Sequence, residues 1–217
     1  MGHGSDNRRL TGVRSGSAMT FRTMRVAAGL CAVLCLLGSV SCNDLVQASR
    51  ASTILVIERI GAKSGGTTGD PIDTFLNSDV LFEGSVFPDI GRVTTRLAFK
   101  SPGTSENPAS ATSANWITIT GYRVVYRRTD GRNEAGVDVP YPFEGGLTMT
   151  TLDIGTAEFT LVRVQAKLES PLVELRGLGG ALAISVNAEI TFFGHDQTGA
   201  AITANGSIGI TFADFGD

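Results

Sequence analysis

From residue 53 onward the chain alternates apolar and polar positions. In "GRVTTRLAFK", Val93, Thr95, Leu97 and Phe99 share one face, with Thr94, Arg96 and Lys100 on the other. "LAISVNAEITFF" sets Leu182, Ile184, Val186, Ala188, Ile190 and Phe192 against Ser185, Asn187, Glu189 and Thr191. "ITANGSIGITF" repeats the pattern with Ile202, Ala204, Ile208, Ile210 and Phe212. A period of two marks a strand with one buried face. Between these last two segments, "GHDQTGAA" has the turn residues of a hairpin. Further strands are predicted over 53–60, 79–87, 116–128, 146–154 and 157–168. Within 116–128 the apolar phase shifts from Ile117 and Ile119 to Tyr122, Val124 and Tyr126, which places a β-bulge at Gly121. No stretch after residue 52 sustains a 3.6-residue period. The pattern predicts an all-β domain, an antiparallel sandwich of about seven to nine strands.

The closing stretch "AEITFFGHDQTGAAITANGSIGITFADF" joins two alternating strands through a D-x-x-G turn. It resembles the terminal strand pair of immunoglobulin-like β-sandwich domains in bacterial surface lipoproteins. The resemblance covers residues 53–217 as pattern and lacks the antibody-type Cys…Trp…Cys core. It implies a fold and carries no function with it.

The N-terminal segment has a different character. Arg22 and Arg25 precede an apolar run from Val26 to Val40, and small residues follow at Ser39 and Ser41. The run is shorter than the roughly 20 residues a spanning helix needs. A charged start, a short apolar middle and a small-residue end are the marks of a secretory signal. The order resembles a bacterial lipoprotein signal, whose lipobox ends in the cysteine that is lipidated. Ser39, Val40, Ser41 and Cys42 take those places, with Ser39 where the family usually has Leu. The resemblance implies that residues 1–41 are a leader and signal peptide with a helical core, that Cys42 carries a covalent lipid, and that 42–52 form an anchor and tether. Met19 and Met24 are alternative starts. Ordinary cleavage after the small-x-small sequence Ser39-Val40-Ser41 would instead give a secreted protein. Asn43 is not the Asp that resembles an inner-membrane retention signal, so the expected address is the outer membrane.

Charge and cysteine content narrow the remaining classes. The three cysteines are Cys31, Cys35 and Cys42, so none follows the proposed anchor. Thiolate chemistry, a cysteine zinc site and an iron–sulfur cluster are therefore excluded from residues 53–217. Residues 1–41 hold 5 of the 18 basic residues and 1 of the 21 acidic ones; the remaining 176 residues carry 13 and 20. A chain so acidic lacks the basic footprint of nucleic-acid binding.

Few constellations carry chemistry. His195 is the one histidine after the signal, and a Ser-His-Asp arrangement would need it with Asp196 or Asp214; there is no G-x-S-x-G elbow. No catalytic residue and no cofactor beyond the lipid is assigned. Asp130, Glu134, Asp138 and Glu144 lie in or beside the 129–145 loop as oxygen donors for calcium, without EF-hand spacing. Trp116, the only tryptophan, is expected to pack at a core edge, with sugar stacking as its alternative. In "VDVPYPFEGG", Pro140 and Pro142 stiffen the chain around Tyr141 and Phe143. These aromatics either plug one end of the sandwich or, with Asp130 and Asp138, form a loop that meets a partner. The expectation is a lipid-anchored, non-enzymatic envelope module with a membrane contact through its lipid and an unknown protein or glycan partner. The alternative is a secreted carbohydrate-binding or hydrolytic domain.

Overall fold

Eight strands in two packed sheets make up most of the computed structural model, which describes residues 51–216. The strands are β1 (Thr53–Lys63), β2 (Phe75–Asp79), β3 (Asp89–Phe99), β4 (Ile117–Arg127), β5 (Phe143–Thr151), β6 (Ile154–Val162), β7 (Ile184–Asp196) and β8 (Ala201–Ala213). One sheet has the order β1-β3-β6 and the other β2-β8-β7-β4-β5. With β1, β3 and β6 facing β8, β7 and β4, the order follows the A-B-E and G-F-C strands of immunoglobulin-like sandwiches. A short helix, α1 (Val164–Leu168), and two 3-10 turns complete the regular structure. The signal segment, Cys42 and most of the tether lie outside the described residues.

The alternation read from the sequence becomes the core. Val186, Ala188, Ile190 and Phe192 of β7 and Ile202, Ala204, Ile208, Ile210 and Phe212 of β8 are buried, and their polar neighbours face outward. Each buried valine, isoleucine or phenylalanine side chain contributes about 1.5–3 kcal/mol relative to exposure. Tyr122 centres an aromatic cluster, with Phe159 at 5.0 Å and Phe143 at 6.1 Å, both edge-on. The bulge falls where the phase shift places it. The pairing of β4 with both β5 and β7 slips between Ile119 and Gly121. A Cβ at Gly121 would press on the Phe193 ring and crowd the Gly145 carbonyl, so the position favours glycine by close approach.

Four expectations need correction. The segment 79–87 is not a strand: β2 ends at Asp79, and the chain then turns through Glu83 and Gly84, both at positive φ. β2 also pairs parallel to β8, the one parallel pair in the two sheets. Residues 164–168 coil into α1 and do not extend the strand begun at 154. Leu182 is exposed, because β7 begins at Ile184.

The registers define two ends. Thr53 pairs with Phe99, Arg96 with Ile154, Ile117 with both Thr151 and Asp196, and His195 with Ala201. β1, β4, β6 and β8 therefore start at one end, the start end, where β3, β5 and β7 finish. The opposite, loop end holds the 64–74, 80–88 and 128–142 loops and the segment carrying α1.

Candidate functional site

The 128–142 loop follows β4 at the loop end. Arg128 and Arg132 converge on Asp130: Arg128 donates from Nε and Nη2 at 3.0 and 2.6 Å, and Arg132 from Nε and Nη2 at 3.0 and 2.9 Å. These hydrogen bonds, Arg128's first, hold the Asp130 carboxyl well below the usual range. The Asn133 side chain accepts from the Arg128 N–H at 2.7 Å, closing the base of the loop. Further on, the Glu134 carbonyl accepts from the backbone of Val137, Asp138 and Val139, and Asp138 accepts from the Glu134 N–H at 3.2 Å. Val139 is buried beneath this turn. The loop is thus a folded unit pinned by its own polar groups.

Tyr141 and Phe143 part company. Phe143 is 8% exposed, opens β5 opposite Val124, touches Tyr122 edge-on and lies under the Arg163 guanidinium at 4.6 Å. It joins the ladder despite Pro142, because a proline just ahead of a strand removes no ladder donor. Tyr141 is 51% exposed, its ring laid over Gly136, whose φ of +79° and missing Cβ make room for it. One aromatic plugs the core and the other faces outward.

The four calcium candidates do not gather. Asp130 is engaged by two arginines, Asp138 by backbone, and Glu144 lies on β5 opposite Arg123. Among the described residues no three His, Cys, Asp or Glu side chains are grouped to hold a metal ion. His195, Asp196 and Asp214 also stay apart. His195 is exposed near the start end. Asp196 is buried and accepts from the backbone of Thr198 and Ala200, both at 2.9 Å, which fixes the hairpin turn. Asp214 follows β8 at the loop end and accepts from the Gly177 N–H.

A second polar cluster was not visible in the pattern. Asp89, at the start of β3, and Lys167, in α1, are both fully buried and meet at 2.6 Å. Ser78 donates to the other Asp89 oxygen at 2.5 Å and the Gly65 N–H to the first at 2.8 Å. Lys167 also donates to the Asp79 carbonyl at 2.7 Å. Burial pushes the Asp89 carboxyl up, while Lys167, Ser78 and Gly65 pull it back. This network fastens α1, the 64–74 loop and the end of β2 to β3.

Shallow depressions mark the surface, among them one of about 210 Å³ lined by Arg59, Ile72 and Arg92. Two of about 690 and 560 Å³ meet at Ser64, Thr67 and Asn77 at the loop end. Another, about 410 Å³, lies on the outer face of the larger sheet among Asn187, Glu189, Thr191, Asn205 and Ser207. Trp116 borders none of them; it lies just ahead of β4 at the start end, partly open to solvent instead of packed away. No family model, curated protein or solved structure matches the chain at a significant level.

Proposed function

We propose that the protein is held in the cell envelope by a lipid on Cys42 and serves as a non-enzymatic interaction module. The observation that carries this reading is the order Arg22, Arg25, an apolar run to Val40, then Ser41 and Cys42, with no later cysteine. A covalent acyl group supplies hydrophobic attachment at about 0.8 kcal/mol per buried CH₂, and two or more chains make it stable. The outer membrane is the proposed address, on the strength of Asn43. The partner surface is the 128–142 loop: Asp130 and Asp138 are fixed in place, and Tyr141 offers an aromatic face on a rigid scaffold. Metabolic labelling with a fatty-acid analogue tests the anchor. The wild-type protein should take the label and Cys42→Ala should lose it; an unlabelled wild type would end the reading. A second reading, a secreted carbohydrate-binding domain, draws on the polar depression beside Glu189 and Asn205. Binding on a glycan array that Asn205→Ala abolishes would favour it.

A further inference from the structure

The two ends of the sandwich can be assigned different surroundings once Cys42 is taken as the lipid-bearing residue, a reading on which the inference rests. Eight residues separate Cys42 from Ala51. Fully extended, such a tether spans about 30 Å. β1 alone, with 11 residues, runs about 35 Å from the start end to the loop end. Ala51 is buried, so the tether joins the domain at the start end, and standing the loop end on the bilayer would need the tether drawn out to its full length along the domain. The start end remains on the membrane side.

That end presents apolar side chains around the point where the chain enters. Trp116 precedes Ile117 and Leu152 follows Thr151, the last pair of the β4–β5 ladder, and they are 36% and 47% exposed. Ile154, 59% exposed, opens β6 opposite Arg96. Ile54, 44% exposed, lies on β1 opposite Ala98. The incoming chain is tied down beside them. The Lys100 N–H donates to the Ser52 carbonyl at 3.0 Å, and the Asn115 side chain to the Ser52 hydroxyl at 2.6 Å. Arg96 and Lys100 belong to this end, with Asp153 and Glu106. The loop end carries Asp70, Asp73, Glu134 and Asp138 together with Lys63, Arg92, Arg128 and Arg132, two of the arginines converging on Asp130.

We propose that Ile54, Trp116, Leu152 and Ile154 form a membrane-apposed patch that seats in the interfacial layer of the bilayer holding the Cys42 lipid. Tryptophan suits that layer because its ring is apolar and its N–H is wet. Isoleucine and leucine add buried area beside it.

Trp116 is the only tryptophan and therefore a native reporter. The full-length, processed protein is reconstituted into vesicles of phosphatidylethanolamine and phosphatidylglycerol, with a parallel set carrying brominated acyl chains. Trp116 emission should shift to shorter wavelength in the vesicles and be quenched by the brominated lipid. Leu152→Asp with Ile154→Asp should leave the protein floating with the vesicles through Cys42 while most of the quenching disappears. Both side chains are exposed, so thermal unfolding of this variant should match wild type; if it does not, quenching in wild type decides alone. A wild-type protein that floats but shows no quenching overturns the patch and leaves the anchor standing. A protein that bears no lipid and does not float overturns both. Shielding of Trp116 that grows with protein concentration in detergent, without quenching in vesicles, assigns the surface to a second copy and also overturns the proposal.

Discussion

Two acid–base clusters lie toward the loop end, one at the surface and one fully buried. Asp130 sits at the surface between a largely covered Arg128 and an exposed Arg132, and Asp89 meets Lys167 with no access to water. Their distances are similar, from 2.6 to 2.9 Å, yet their energetics differ. At the surface, water and salt screen the attraction, and exposed pairs contribute little to global stability. In the interior both groups have lost their hydration, so each depends on the other and on Ser78, Gly65 and the Asp79 carbonyl. The surface cluster shapes one loop; the buried one decides whether three segments stay together.

Removing one partner of the buried pair should have the largest effect. Lys167→Met strands a carboxyl in the interior and should lower unfolding free energy by about 3–5 kcal/mol, measured by urea titration. It should also change the pH response. Burial already holds the Asp89 carboxyl above its ordinary 3.8. A raised carboxyl keeps its proton longer in the folded state, so its contribution is complete below 3.8 and is lost as pH rises through the folded value. Without Lys167 that loss should extend to higher pH. A variant as stable as wild type, with an unchanged pH profile, would break the contrast.

The two aromatics give an intermediate test. Phe143→Ala empties a packed site beside Tyr122 and should cost about 3 kcal/mol, whereas Tyr141→Ala should stay within about 0.5 kcal/mol. If Tyr141→Ala destabilises as much as Phe143→Ala, the outward-facing tyrosine is not a contact surface. The smallest effect belongs to Asp130→Asn, which should leave the melting temperature at neutral pH almost unchanged. The Asp130 carboxyl is held low in the folded state, so its contribution is present above 3.8 and lost as pH falls through the folded value. Acidification should therefore loosen the 128–142 loop in wild type and have less to remove in the variant, read by proteolysis of the loop.

The difference between the clusters also explains what the sequence could disclose. Period-two alternation is a local signal, so β7, β8 and the hairpin closed by Asp196 and Gly199 were legible, as was the bulge that Gly121 marks. Arg128, Asp130 and Arg132 drew attention because they share one loop. Asp89 and Lys167 are 78 positions apart. Each reads alone as an ordinary surface charge, and nothing short of the topology brings them together. The parallel β2 was hidden for a related reason: five residues give too brief a pattern to stand out from the loops beside it. Tyr141 and Phe143, two residues apart, look like a pair in the sequence, but Phe143 takes its orientation from β4 through Val124, and Tyr141 takes its own from Gly136.

The place of β8 bears on how the molecule is assembled. It is the last strand in the sequence but an interior one in its sheet, flanked by β7 and by β2. Until Ala201–Ala213 are available, β2 has no neighbour in the larger sheet and β7 keeps one edge bare. A sheet closed by such distant contacts forms late and slowly. The polypeptide therefore cannot complete its larger sheet from the leading end while the remainder is still being made.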